Sequence, residues 1–89
     1  MATLYRTNGT QEQVAPQNGT SFDLKEMQGF VGGYIEIVEA PDERLIILNE
    51  EGKLQGLPLN RAATAIYANP HDFIVGDALV LDVGSKEVE

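Results

Sequence analysis

The residues of this chain that could carry out chemistry are few. His71 is the only histidine, and the sequence contains no cysteine, which leaves too few nitrogen and sulfur ligands for a zinc site. A serine–histidine–acid relay needs a base held against a nucleophile, and the neighbouring residues His71 and Asp72 do not supply that arrangement by themselves. We therefore predict no metal site, no cofactor and no catalytic residues, so the protein is not expected to be an enzyme.

Carboxylates offer a second kind of chemistry. Glu50 and Glu51 lie in a predicted turn, where solvation explains them, and the stretch NEEGK lacks the alternating acidic pattern of a calcium loop. Glu36 lies in the middle of a predicted strand and shares a face with Tyr34, so it can be an exposed polar residue or a pocket carboxylate. A hydrolase would need a cleft that holds Glu36 together with His71.

One stretch has the composition of an anion-binding corner. Asn60 is a favourable N-cap for the helix that RAATAIY predicts, and the free N–H groups at a helix start attract anions, with Arg61 adding a cation. We favour the simpler interpretation, in which Asn60 accepts an N–H of its own helix and Arg61 pairs with a nearby carboxylate. If a nucleotide binds here, Tyr34 or Tyr67 would stack on it. The candidate ligand-binding residues are Asn60, Arg61, Tyr34, Glu36 and Tyr67.

The candidate residues must be positioned by the helices and strands of the fold. The N-terminal part of the chain predicts a hairpin followed by a helix. ATLYRT and QEQVAP are joined by an Asn-Gly pair, the commonest signal for a two-residue hairpin turn. A helix capped by Thr20 or Ser21 follows, and its apolar residues recur at helical spacing. Gly29 or Gly32 is predicted to end it.

The second half of the chain carries the remaining strands and another helix. GYIEIVEA and RLIILNE flank the turn APDE, so residues 33–50 predict a β-hairpin whose second strand is covered on both faces. Residues 53–57 are predicted to return as a short strand, after a turn in which Gly52 takes a positive φ. A second helix ends near Asn69 because Pro follows it, and residues 78–83 predict an interior strand.

These elements predict a single α+β domain over residues 1–89. Its sheet is small and mostly antiparallel, with about four to six strands, and it packs with two short helices. Residues 1–19 are expected to form a loosely attached hairpin or arm, and residues 84–89 a frayed tail.

The charge of the chain restricts its partners. Six basic residues stand against fourteen acidic ones, a net charge of −8, whereas nucleic-acid affinity depends on Lys and Arg. We therefore expect no direct binding to nucleic acid or to an acidic membrane, and an acidic surface either meets a basic partner or serves only solubility. No apolar run approaches the roughly 20 residues of a membrane span, and no signal peptide is evident, so we expect a cytoplasmic protein.

Three stretches in this order resemble a known family: GFVGGYIEIVE, LIILNEEGKLQGLPLNRAAT and IVGDALVL. The resemblance runs over residues 24–81 and fits residues 1–19 only loosely. The family is the domain of unknown function 3846, small proteins of bacteria and their phages. The resemblance implies a cytoplasmic protein of a phage, plasmid or phage-derived locus, and it brings no activity and no catalytic residues with it.

Three hypotheses for the function remain. The first is a non-catalytic binding or interaction protein of phage or mobile-element type, which inhibits or partners a host protein with a basic surface. The second is a protein that binds or sequesters a nucleotide or another small anion at Asn60 and Arg61. The third, and last in order, is a small hydrolase. Strand edges would allow a homodimer under any of the three.

Overall fold

A five-stranded antiparallel sheet with two helices forms the domain, which confirms the α+β class. The computed structural model describes residues 2–19 and 21–82. The elements are β1 (Ala2–Tyr5), β2 (Gln11–Val14), α1 (Leu24–Val31), β3 (Ile35–Glu39), β4 (Leu45–Asn49), α2 (Arg61–Ile66) and β5 (Ala78–Leu81). The strand order is β2-β1-β5-β4-β3, so the last strand of the sequence lies at the centre of the sheet.

The two central strands, β4 and β5, carry the core on both of their faces. Because side chains alternate along a strand, Ile47, Leu79 and Leu81 pack with α1. Ile46 and Val80 point the other way and pack on the side that α2 covers. The prediction that RLIILNE is covered on both faces is confirmed, and the two sides are called the α1 face and the α2 face below.

Helix α1 begins and ends at residues that satisfy its free backbone groups. Its N-cap is Asp23, whose carboxylate accepts a hydrogen bond of 2.7 Å from the N–H of Glu26. Ser21 is therefore not the cap, and the other predicted cap, Thr20, lies outside the described residues. Gly32, one of the two glycines predicted to end the helix, ends it with a left-handed φ of 80°. No helix in the described part of the chain is long and apolar enough to cross a membrane.

Residues 2–14 form a hairpin that is part of the sheet, whereas a loosely attached hairpin or arm was predicted over residues 1–19. Strand β1 pairs with β2 on one side and with β5 on the other. Ala2 and Leu4 are buried in the core, and Arg6 forms an ion pair with Asp77 just before β5. Apolar burial and ladder pairing thus hold this segment, although its sequence alternates only weakly.

Residues 53–57 do not form the predicted strand. The N–H of Gln55 donates to the carbonyl of Glu51 at 2.9 Å, so the segment coils into successive turns. The positive φ of 67° falls at Gly56 and not at Gly52. These local hydrogen bonds satisfy the backbone, so no neighbouring strand is needed here.

The ends of the later elements lie close to the predicted positions. Helix α2 is capped by Asn60, as predicted, and ends at Ile66, three residues before Asn69. Strand β5 ends at Leu81. The predicted frayed tail, residues 84–89, lies outside the described residues.

The two-sided burial of β5 predicts a large cost for shortening Leu79, which is fully buried. Leu79→Ala should lower the free energy of unfolding by about 2–5 kcal/mol, because it removes apolar contacts and leaves a cavity. Leu54→Ala is the matched control: Leu54 is 89% exposed, so its free energy of unfolding should change by less than about 0.5 kcal/mol. Urea denaturation of both variants measures the difference, and equal losses would contradict the placement of the core.

Candidate functional site

A cavity of about 190 Å³ lies on the α2 face beside strand β3. Buried Leu48 and Ile74 line it from the sheet and from the segment that follows α2. Glu36 borders it from β3, while the turn after β4 contributes Lys53 and the later loop contributes Phe73. The cavity is therefore enclosed by three separate parts of the sequence, and the fold alone brings them together.

Lys53 forms an internal contact at the rim of this cavity. Its ammonium donates a hydrogen bond to the carboxylate of Asp72 and lies 4.5 Å from the centre of the Phe73 ring. The hydrogen bond from Lys53, followed by that from the backbone N–H of Phe73, lowers the pKa of Asp72. Lys53 is the only basic residue in the described lining, so the carboxylates of Glu36 and Glu50 remain as the excess charge.

Exposed apolar side chains stand beside these carboxylates. Leu54 is 89% exposed and Phe73 is 47% exposed, and both line the cavity. An apolar wall with a negatively charged rim suits a ligand that has a cationic end and an aliphatic stem. Lysine and arginine side chains have that composition.

The five candidate residues from the sequence do not form one site. Glu36 and Tyr67 line the cavity together. Tyr34 is 67% exposed and borders a different depression, on the far side of the turn after β4. Arg61 is exposed at the start of α2, and Asn60 is buried beneath it.

The side chain of Asn60 is fully used inside the protein. Its Oδ1 accepts a hydrogen bond of 3.0 Å from the N–H of Ala63, which caps α2. Its Nδ2 donates to the carbonyl oxygens of Tyr5 at 2.8 Å and of Gly76 at 2.9 Å. This side chain therefore has a structural role in joining α2 to the sheet. It leaves no polar atom available to bind an anion at the site predicted for Asn60 and Arg61.

The contact of Lys53 with Asp72 was not found from the sequence, because the two residues are 19 positions apart. Leu54 gave no signal either, because it was placed in the short strand predicted over residues 53–57. His71 does not line the cavity with Glu36. Among residues 2–19 and 21–82, no group of three His, Cys, Asp or Glu side chains is arranged to hold a metal ion.

A family model described as Domain of unknown function (DUF3846) matches residues 1–89, and the chain belongs to this family. The match confirms the resemblance and extends it over residues 1–19, where the motifs fit loosely. No curated protein and no solved structure matches the chain. The family description names no activity.

The hydrogen bonds of Asn60 predict that its loss destabilises the fold. Asn60→Ala should lower the free energy of unfolding by roughly 2–4 kcal/mol, because the helix loses its cap and two carbonyl groups, one buried and one partly buried, lose a donor. Arg61→Ala, at the exposed neighbouring position, should change it by less than about 0.5 kcal/mol. Thermal or urea unfolding measures both, and a neutral Asn60→Ala would contradict the structural role.

The lowered pKa of Asp72 predicts a pH dependence of stability. A carboxylate whose pKa is lower in the folded state stabilises the fold above its unfolded pKa, near 3.8. This stabilisation should be lost as the pH falls from 3.8 through the folded value. In Asp72→Asn the free energy of unfolding should depend less on pH below 3.8 than it does in the wild type. Urea unfolding against pH, with a carbon-13 NMR titration of Asp72, tests this; a titration at the ordinary pKa would contradict the Lys53 contact.

Proposed function

We propose that this member of the family is a non-catalytic binding protein that holds a basic segment of another protein against the cavity beside β3. The observation that supports this most directly is the composition of the cavity. Glu36 and Glu50 supply carboxylates, Leu54 and Phe73 supply exposed apolar surface, and the single cation of the lining, Lys53, is already paired.

The charge of the whole chain favours a basic partner. At a net charge of −8, the protein attracts cationic surfaces over a distance of about 10 Å at moderate salt. Attraction of this kind accelerates association and selects against acidic partners more than it adds affinity. Affinity must then come from apolar contact, for which Leu54 and Phe73 are exposed.

The size of the cavity favours a side chain over a whole small molecule. Its volume of about 190 Å³ is below the roughly 300–1,000 Å³ of typical small-ligand pockets. The nucleotide hypothesis depends on Asn60 and Arg61, and the buried, fully hydrogen-bonded Asn60 gives it no support. The hydrolase hypothesis needs Glu36 and His71 in one cleft, and His71 does not line this cavity.

The proposal includes a biological setting. We place the protein in the cytoplasm, as the product of a phage or mobile element that inhibits or accompanies a host protein with a basic surface. The lack of cysteine in the sequence and its acidic composition fit a reducing compartment and a basic partner.

The proposal predicts a salt-sensitive interaction that depends on Glu36. Capture of host proteins on the immobilised full chain should weaken as ionic strength rises, and Glu36→Gln should reduce affinity for the captured partner by roughly two- to fivefold, the range for exposed ion pairs. Glu43→Gln removes the same charge from the turn between β3 and β4, away from the cavity lining, and should leave affinity nearly unchanged. Equal effects of both variants, or capture insensitive to salt, would contradict the proposal.

A further inference from the structure

Strand β3 has a neighbouring strand on only one side. The N–H of Glu50 donates to the carbonyl of Tyr34, and the N–H of Ala40 donates to the carbonyl of Arg44, both at 2.9 Å. Along an antiparallel strand, the backbone N–H and C=O groups of successive residues point alternately to one side and to the other. These two bonds show that the even-numbered residues of β3 direct theirs toward β4. The N–H and C=O groups of Ile35 and Ile37 consequently point away from the sheet.

The outer edge of β3 already accepts one hydrogen bond from another part of the chain. The N–H of Ala68 donates to the carbonyl of Glu39 at 3.3 Å, just after α2. This contact covers the end of the strand and leaves Ile35 and Ile37 without a paired strand in the described part of the chain. A row of such groups is a template for another strand.

The opposite edge of the sheet is less suited to pairing. Strand β2 has only four residues, three of them exposed and polar, and its Glu12 is held by an ion pair with Arg6. Strand β3 carries Ile35, Ile37 and Val38, residue types that favour strands. Ile37 is 46% exposed, so an added strand would cover apolar surface as well as backbone.

The charges on β3 decide which strand can pair there. Glu36 and Glu39 are both exposed on this edge. In an antiparallel second copy paired about Ile37, Glu36 would face Val38 of that copy and lie diagonal to its Glu36, so the two carboxylates would share one face without a cation. A strand with basic residues on the Glu36 face would neutralise Glu36, whereas Glu39 lies on the opposite face, with Ile37.

We propose that the outer edge of β3 pairs with an extended segment of the partner protein in which basic residues alternate with apolar ones. This inference rests on the proposed function and names the structure of the segment that is bound. The main chain of the segment hydrogen-bonds to Ile35 and Ile37, the mode of recognition by strand addition.

The alternation follows from the geometry of paired strands, in which directly opposed residues lie on the same face. A residue opposite Glu36 lies on the α2 face, where the cavity opens, so a lysine or arginine there reaches Glu36 and the rim. A residue opposite Ile37 lies on the α1 face and covers that exposed side chain when it is apolar. One short segment can thus hydrogen-bond to the edge, place a cation at Glu36 and cover the side chain of Ile37.

The test uses the full chain, labelled with nitrogen-15, and a synthetic peptide of alternating lysine and valine. A peptide of alternating glutamate and valine is the matched control for charge. Binding of the lysine peptide should slow hydrogen exchange of the Ile35 and Ile37 amides by about tenfold or more, because those N–H groups enter a ladder. The glutamate peptide should leave both amides unchanged.

Two variants separate the backbone from the side chain at the centre of the edge. Ile37→Pro removes an N–H that faces outward and takes no part in the β3–β4 ladder, so an edge strand should tolerate it. It should weaken binding of the lysine peptide by about tenfold, as expected for a lost hydrogen bond, whereas Ile37→Val should bind nearly as the wild type does. The exchange measurement on wild-type protein decides the question even if Ile37→Pro does not fold.

The outcomes distinguish this inference from the function on which it rests. If the lysine peptide binds while the Ile35 and Ile37 amides exchange as before, strand addition is wrong and the binding function stands. The same conclusion follows if the peptide does not bind but a basic host protein does. If neither binds, both proposals fail. Protection of these amides that grows with protein concentration alone would assign the edge to a second copy of the chain and overturn the inference.

Discussion

The architecture depends on burying β4 and β5 on both faces, because this requires two covering layers from a short chain. Helix α1 supplies the first layer, but the second consists of the six-residue helix α2 and irregular segments. Irregular backbone buried against a sheet carries N–H and C=O groups that must find partners. Two asparagines, Asn49 and Asn60, are the buried polar residues of the described chain, and their side chains satisfy backbone groups at the helix ends and in the adjoining segments.

Both asparagines act at the same end of the sheet, where β1 and β4 finish and β5 begins. Asn49 accepts a hydrogen bond of 2.8 Å from the N–H of Glu51 and donates to Val31 and Gln55 at 3.2 Å. It therefore joins the end of α1 to the turn that carries the exposed rim of the cavity. Asn60 makes the corresponding connection for α2, which it joins to the end of β1 and to the segment before β5.

Local signals in the sequence were sufficient to predict most of the helices and strands, but not to predict which residues meet in the cavity. The hairpin of β3 and β4, the end of α1 at Gly32 and the cap at Asn60 all follow from interactions within a few residues, and all three are confirmed. Residues 53–57 were wrongly assigned because both a strand and a coiled turn satisfy their backbone. Glu36 and Tyr67 could be named from the sequence, but their meeting in one cavity depends on the strand order, which the sequence does not specify.

The start of α2 at Asn60 and the outer edge of β3 contribute differently to folding. This difference favours β3 as the place where a partner binds. Every polar atom of the Asn60 side chain is engaged within the fold, so a ligand there would compete with the fold itself. The outward backbone groups of Ile35 and Ile37 form no part of the β3–β4 ladder, and Glu36 keeps its carboxylate exposed. A partner can use these groups without disturbing the core, while the charges that attract it also oppose self-association.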